Sequence, residues 1–499
     1  GGICVSKTAF DQIETKLPLG YEYLGEQSVK NIPKPVGAYR VLMQPRVIVA
    51  KQKEEAKGIP FWRSKAVLTV GIAVLLVIVG VAVWNFYLRP APVEVASMEK
   101  MSYALPDKPS IAVLPLTNMS GDPEQEYFSD GLTEEIITAL SKVHNMFVIA
   151  RNSTFTYKGK SVRISQVAEE LGVQYVLEGS VRKAGDQVRI TAQLIDALTG
   201  HHLWAERYDR DLKDIFTLQD EITKEIITAL QVKLTMGEDA RLLGKGTDNL
   251  EVYLKCLRAR ELIARSTIEG NVLARQLSEE AIALDPEYPE AYRMLGVTHF
   301  VDVLHGVSKS PEESLALASK LTRKAIDLDE SNGVAHAKLG FILVMMRQYD
   351  KAIEEGKRAL ELEPNSAYVL HTYGAILYFA ARNEEAIPLF EKAIRLNPKP
   401  PNMYRHHYGA ALREAERYEE AIAQVKKAIE REPNDILSYS VLASSYSMAG
   451  REEEARSAAT EILKINPNFS LENYIKRSPH KDQTVNERYV DAMRKAGLK

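Results

Sequence analysis

From Gly340 onward, four small-residue and proline positions recur in strict register. Gly340, Ala352, Ala359 and Pro364 reappear as Gly374, Ala386, Ala393 and Pro398. They return as Gly409, Ala421, Ala428 and Pro433, and again as Ala443, Ala455, Ile462 and Pro467. The prolines step by 34, 35 and 34 residues. Such a period marks a supersecondary unit that cannot bury its apolar face alone and stacks on copies of itself. The small residues let two antiparallel helices approach closely, and the proline, which lacks an N–H, closes the second helix before the next unit. Two looser units precede these, one on Ala274, Ala281 and Pro286 and one on Gly296, Ala318 and Ala325. Six units are therefore expected.

The period is that of the tetratricopeptide repeat (TPR). Residues 250–470 are expected to form a TPR α-solenoid, and 471–499 a capping segment whose helix covers the last apolar face. Tyr368, Tyr373, Tyr378, Phe379, Tyr404 and Tyr408 are read mainly as solenoid packing, with a minority lining a concave groove for a peptide.

The run Ala66 to Leu88 carries no charge across 23 residues, and Asn85 is its only strongly polar member. As a helix rising ~1.5 Å per residue it reaches roughly 34 Å, enough for a hydrocarbon core of about 30 Å. Phe61, Trp62, Trp84, Phe86 and Tyr87 sit near its ends, where amphipathic rings settle at membrane interfaces. Lys51, Lys53, Lys57, Arg63 and Lys65 precede it, while the 15 residues beyond it offer only Arg89 and Lys100. The positive-inside rule then predicts a single-pass protein of a bacterial inner membrane. Residues 1–65 are placed in the cytoplasm, 46–65 being a basic linker, and 89–499 in the periplasm, with 89–107 as a second linker.

Residues 108–235 alternate strand and helix signals. Ser110–Leu116 and Met146–Ala150 suit short buried strands. A helix capped by Ser129 or Asp130 is expected to run to about Lys142. Another spans Ile164–Leu171 and closes on Gly172. Strands follow at 174–181, 187–195 and 202–208, and the middle one sets Val188, Ile190, Ala192 and Leu194 against Arg189, Thr191 and Gln193. A helix from about Ile215 to Leu234 completes an α/β domain with a mixed sheet. The strings Ile111-Ala-Val-Leu-Pro-Leu116, Tyr127-Phe-Ser-Asp-Gly-Leu-Thr133, Tyr175-Val-Leu-Glu-Gly-Ser-Val181 and His202-Leu-Trp-Ala-Glu-Arg-Tyr208 resemble TolB-like domains. That resemblance implies a binding or assembly module.

Residues 1–45 read as a strand, a helix capped by Ser6 with Phe10 and Ile13 facing inward, and a hairpin. The string Leu24-Gly-Glu-Gln-Ser-Val-Lys-Asn-Ile32, followed by Pro35-Val-Gly-Ala-Tyr-Arg-Val41, resembles the C-terminal end of a class III adenylate/guanylate cyclase catalytic domain. The resemblance implies an α+β fold, a homodimer through that domain, and two Mg or Mn ions in the intact cyclase. The metal-binding aspartates and the transition-state Asn and Arg of that family precede the matching segment. Lys30 alone matches a functional position, where similar cyclases set a lysine against the triphosphate. The other reading of Lys30 is a solvated hairpin residue. The chain starts at Gly1 and enters patterned sequence at once, so we expect a piece of a longer protein, without cofactor or cyclase activity of its own.

The remaining signals point away from other chemistries. A formal net charge of -3 offers no basic excess for nucleic acid. Cys4 and Cys256 stand too far apart in sequence for a redox or zinc motif. Asp122, Glu124, Glu126 and Asp130 lack calcium-loop spacing and read as a solvated loop. His201 and His202, as strand neighbours, point to opposite faces. Leu242–Thr247 misses the spacing of a phosphate loop. The expected architecture is multidomain α/β plus α: the cyclase-domain end (1–45), one transmembrane helix (66–88), a TolB-like α/β domain and a TPR solenoid. The expected function is the protein-binding sensor half of a transmembrane cyclase, with ATP or GTP left open. The alternative is a membrane-anchored TPR scaffold for envelope proteins with no enzymatic activity.

Overall fold

The computed structural model describes residues 3–13, 19–27, 36–45, 95–232, 246–247 and 249–498. The apolar run 66–88 and Lys30 lie outside these residues. Among the described residues, no helix is long and apolar enough to cross a membrane. The chain divides into two compact units, residues 1–91 and 92–499.

In the first unit, β1 (Cys4–Ser6) enters α1 (Lys7–Ile13), and β2 (Leu19–Gln27) pairs with β3 (Val36–Pro45). The antiparallel order is β1-β3-β2. The Ser6 hydroxyl accepts from the Ala9 amide at 3.3 Å and caps the helix. Phe10 then stacks on Tyr39 with ring centroids 3.9 Å apart and meets Tyr21 edge-on at 5.1 Å. The register slips between Tyr23 and Glu26, where Gly25 adopts φ 81°, a turn that favours glycine.

The second unit begins with a six-stranded mixed sheet. Its strands are β4 (Ser110–Val113), β5 (Thr117–Asn118), β6 (Phe147–Val148), β7 (Tyr175–Ala184), β8 (Gln187–Asp196) and β9 (His201–Asp211). The order is β6-β4-β7-β8-β9, with β5 also on β7. Pairing is parallel from β6 to β7 and antiparallel from β7 to β9. The helices are α2 (Glu126–Ser141), α3 (Arg151–Thr154), α4 (Ile164–Leu171) and α5 (Ile215–Ala229). Val188, Ile190 and Leu194 share a core with Leu132 and Ile136 of α2 and Leu218 and Ile222 of α5. On the sheet's other side, Ala112 and Val176 pack with Val167, Ala168 and Leu171 of α4. Gly172 ends α4 at φ 63°.

Three expected boundaries move. The helix α2 starts at Glu126, ahead of both Ser129 and Asp130. Asp122 caps a 3-10 turn, Pro123–Gln125, which feeds straight into it. Glu126 and Asp130 therefore belong to a helix rather than a loop, and both reach Lys158, at 2.9 and 2.6 Å. The second strand shrinks to Phe147–Val148, because Ala150 caps α3. Helix α5 stops at Ala229, and Gln231 turns to φ 54°. The described part of the 89–107 stretch also packs down: Ala96 is buried and its amide donates to the Ala197 carbonyl at 2.7 Å.

Six antiparallel helix pairs follow: α6 (Leu250–Ala264) with α7 (Ile268–Leu284), α8 (Pro289–His305) with α9 (Pro311–Leu328), and α10 (Gly333–Met345) with α11 (Tyr349–Leu362). Then come α12 (Ala367–Phe379) with α13 (Asn383–Leu396), α14 (Asn402–Glu414) with α15 (Tyr418–Arg431), and α16 (Ile436–Met448) with α17 (Glu452–Ile465). The periodic alanines Ala352, Ala359, Ala386, Ala393, Ala421 and Ala428 have no exposed surface. A Cβ on Gly340 would lie 3.0 Å from the Ala352 carbonyl, so glycine sets the helix spacing there. The tail forms α18 (Leu471–Arg477) and α19 (Gln483–Lys495), whose Tyr489 and Met493 join the core of the last repeats.

The α/β domain and the repeats are not beads on a string. Tyr253 and Leu257 of α6 belong to the core beneath α2, and Gly131 of α2 admits Leu257, whose Cδ1 lies 2.6 Å from where a Cβ would stand. On the other side, Leu370, Ala393 and Leu396 complete the core under α4. Loops that join successive repeats make the polar seams. The Ala150 amide donates to the Leu396 carbonyl at 2.8 Å, and Ser153 Oγ donates to Asn397 Oδ1 at 2.6 Å. Arg395 donates to the carbonyls of Gly172 and Ala104, both at 2.9 Å.

Candidate binding groove

The first helices of successive pairs present one face to a common cavity of about 700 Å³. Helix periodicity selects the lining. Lys338, Phe341 and Met345 lie along one side of α10, and Tyr368, His371, Ala375 and Phe379 along one side of α12. Because the repeats are in register, Lys338, Thr372 and His406 stand at 34-residue steps, as do Met345 and Phe379. Met294, Val297 and Phe300 of α8 extend the apolar floor. The opposite wall comes from the α/β domain, through Ile137, Thr138 and Ser141 of α2 and Arg151 of α3.

Apolar side chains dominate, with a few polar groups set among them, as in sites that take an apolar ligand and orient it. The Lys338 ammonium lies 5.1 Å from the Phe300 ring centroid and 5.7 Å from that of Tyr368. His371 stacks on Tyr404 at 3.9 Å, and its Nε2 is 3.1 Å from His407 Nδ1. Burial pushes the His371 imidazole down to about 3 and His406 to about 4. It also drives His407 well below its ordinary value. These rings are neutral at ordinary pH and act as flat packing surfaces.

A buried ion network closes one end. Arg260 of α6 reaches Glu135 of α2 at 3.0 Å and Glu290 of α8 at 2.8 Å, while Arg293 holds Glu290 through two contacts of 2.6 Å. Burial alone would raise the Glu290 carboxyl, but Arg293 and Arg260 hold it down to about 2. Glu363, buried nearby with its Oε1 accepting from the Val334 amide at 3.2 Å, is raised instead. The difference is in partners: among the described residues no guanidinium forks onto Glu363.

The residues singled out from sequence separate into groups. Tyr368, Phe379 and Tyr404 line the cavity. Tyr378 is buried against Phe379, Tyr408 donates to Glu391 at 2.8 Å, and Tyr373 fills the space that Gly356 leaves. His201 and His202 are exposed on β9, and Cys256 is buried, out of reach of a thiol reagent. Lys30, the proposed phosphate ligand, is among the residues not described. No group of three or more His, Cys, Asp or Glu side chains converges among the described residues. Phe300, Lys338, Phe341 and His407 escaped the sequence reading, although stepping Phe379 back by one period would have reached Met345.

Comparison with known proteins gives three kinds of likeness. Residues 107–225 match the family model described as HilA/YgeH-like transcriptional regulator, second domain, and 374–436 and 409–468 match the tetratricopeptide repeat model. A protein of Rhizobium meliloti (strain 1021) named "Putative adenylate cyclase 3" is 44% identical over 352 residues, 70% of this chain and 52% of that protein. The transcriptional regulator HilA of Salmonella typhimurium is 22% identical over 298 residues, 59% of this chain and 52% of its own. The chain thus spans about half the length of these two curated relatives. Among solved structures, Pseudomonas aeruginosa PilF overlaps 45% of this chain and 95% of its own, at 19% identity and a TM-score of 0.36. The TPR protein YrrB, described as having an unusual peptide-binding site, overlaps 40% of this chain and 97% of its own, at 21% identity and a TM-score of 0.30. Overlaps that slight carry no argument. The α/β domain is matched as HilA-like, where the motifs had suggested a TolB-like module. The chain combines an α/β region with a C-terminal TPR-like helical solenoid.

Proposed function

We propose that this chain is the partner-binding half of a membrane-bound class III nucleotide cyclase, and that the groove on the first-helix face binds a protein segment. The observation that carries the binding role is the apolar cavity itself, roofed by the α/β domain and lined from the first helices of all six pairs. The cyclase assignment draws support from the relative at 44% identity and from the string at residues 24–41. In this reading, residues 66–88 cross the inner membrane, 1–65 face the cytoplasm and 89–499 face the periplasm. The parent protein dimerises through its cyclase domain, where Mg or Mn and the Lys30 ammonium serve the triphosphate. The α/β module, whether TolB-like or HilA-like in descent, positions the groove.

Photo-cross-linking in cells making the full chain tests the binding role. A photoreactive residue at Leu304, half exposed at the groove, should trap a discrete protein, while one at Leu463, similarly exposed but away from the groove, should not. The Leu304 adduct should weaken with Lys338→Glu. Equal patterns from the two positions would overturn the assignment.

A further inference from the structure

The tail does something that capping does not require. Helix α19 covers the last repeat, but the segment between α18 and α19, Ser478–Lys481, reaches back to the third and fourth helix pairs. There three consecutive backbone carbonyls are read by side chains. Arg347 donates to Ser478 O at 3.1 Å and to His480 O at 3.4 Å, and the Tyr349 hydroxyl donates to Pro479 O at 2.9 Å. The Lys481 amide answers by donating to the Phe379 carbonyl at 2.9 Å. The buried His480 ring meets Tyr378 edge-on at 4.6 Å and lies 4.9 Å from the Phe379 centroid. The Lys481 ammonium stands 5.8 Å from the Tyr349 ring and 3.9 Å from Asp350. Pro479 forms part of the wall of the groove described above.

Backbone carbonyls met by fixed side-chain donors, one ring pocket and one acidic contact together make a recognition site for an extended peptide. Nothing in that donor set depends on the peptide's being covalently part of this chain. We infer that the groove end formed by Arg347, Tyr349, Tyr378 and Phe379 is an acceptor site for an extended segment of a protein partner. That segment carries a flat ring side chain followed by a basic residue. The chain's own Ser478–Lys481 fills the site as an internal ligand, which a partner must displace. The inference rests on the groove reading and names the chemistry its occupant needs at this end.

The probe is a fluorescein-labelled synthetic peptide with the sequence of residues 475–484, titrated against the full chain by anisotropy. Replacing the internal ring (His480→Gly) should tighten peptide binding about tenfold over the unmodified chain, since each tenfold is about 1.4 kcal/mol. A peptide with alanine in place of the histidine should bind that variant about tenfold more weakly, as should the native peptide when Arg347→Met is added. In the unmodified chain, saturating peptide should speed exchange of the Lys481 amide, a readout that needs no variant. Equal affinity of the variant and unmodified chains, indifference to the peptide's ring, or an unchanged Lys481 amide under saturating peptide would overturn the inference. If these fail while the Leu304 adduct persists, the groove reading stands and the internal ligand falls.

Discussion

Asn365 Nδ2 donates to the Val143 carbonyl at 2.6 Å, joining a loop between two repeats to the end of α2 across 222 residues of sequence. The same side chain accepts from Lys108 Nζ at 2.9 Å. One residue of an inter-repeat turn thus satisfies a carbonyl and an ammonium of the α/β domain. Burial lowers the Lys108 ammonium to about 8, so its acceptors matter to keeping it charged. Replacing Asn365 with alanine leaves both partners short of a hydrogen bond. The expected loss of stability is about 1–3 kcal/mol, read from urea unfolding of the full chain.

Glu290 makes a sharper case. Its carboxylate is the anion shared by Arg260 and Arg293, and both guanidinium groups are largely buried. Glu290→Ala is expected to destabilise by about 3–5 kcal/mol, because it removes the carboxylate that Arg293 forks onto and leaves Arg260 only Glu134 and Glu135. Replacing Glu290, Arg260 and Arg293 together with apolar residues should cost less than the single change. A single change milder than the triple would contradict the network.

The buried histidines give a pH signature. His371, His406 and His480 are pushed to about 3, 4 and 3 by burial, below the usual 6.5. Below pH 6.5 the unfolded chain takes up protons at these rings and the folded chain does not, so stability is fully present above 6.5 and falls as pH drops. From pH 6.5 to 5.5 each ring accounts for about 1 kcal/mol. The lowered Glu290 carboxyl begins to count only below its usual 4.5, while the raised Glu363 and Asp130 oppose the trend. The unfolding midpoint should therefore fall between pH 6.5 and 4.5, with a shallower slope in His406→Gln. An unchanged slope in that variant would contradict the buried neutral state of the ring.

Gly340 tests the helix spacing. A Cβ there would lie 2.8 Å from Ile376 Cδ1 and 3.0 Å from the Ala352 carbonyl. The isoleucine can turn aside, but the carbonyl belongs to α11 and cannot. Gly340→Val is expected to cost about 1–3 kcal/mol by forcing α10 and α11 apart. Urea unfolding of the full chain reads that loss, and Gly340→Ala should cost less than Gly340→Val because a single methyl asks for a smaller separation.

The repeats were legible because their physics is local. Ala352 and Ala359 meet neighbours a few dozen residues away, and the period writes those meetings into the sequence. The alternation of Val188, Ile190 and Leu194 likewise announced a one-sided strand. What could not be read was the docking of the α/β domain. It depends on Asn365 and Asn397 in turns and on Arg395 in the last turn of α13, polar positions where the period itself leaves composition free. Gly131 falls inside the expected helix, but nothing local announces that it makes room for Leu257 of α6. The groove followed the same rule: Phe379 was visible as a repeat aromatic, but Ile137 and Pro479 come from outside the repeats.

The α/β domain and the solenoid form a single body with a shared core, and the groove exists because of that union. Native-state hydrogen exchange of the full chain in rising, sub-denaturing urea tests it most directly. The Ile149 amide, bonded to Ile111 O, and the Ala150 amide, bonded to Leu396 O, should open with the same free energy as the Asn397 amide at the end of α13. All three should converge on one unfolding transition. Exchange at Ile149 and Ala150 through a separate, lower-energy opening that leaves α13 protected would contradict it.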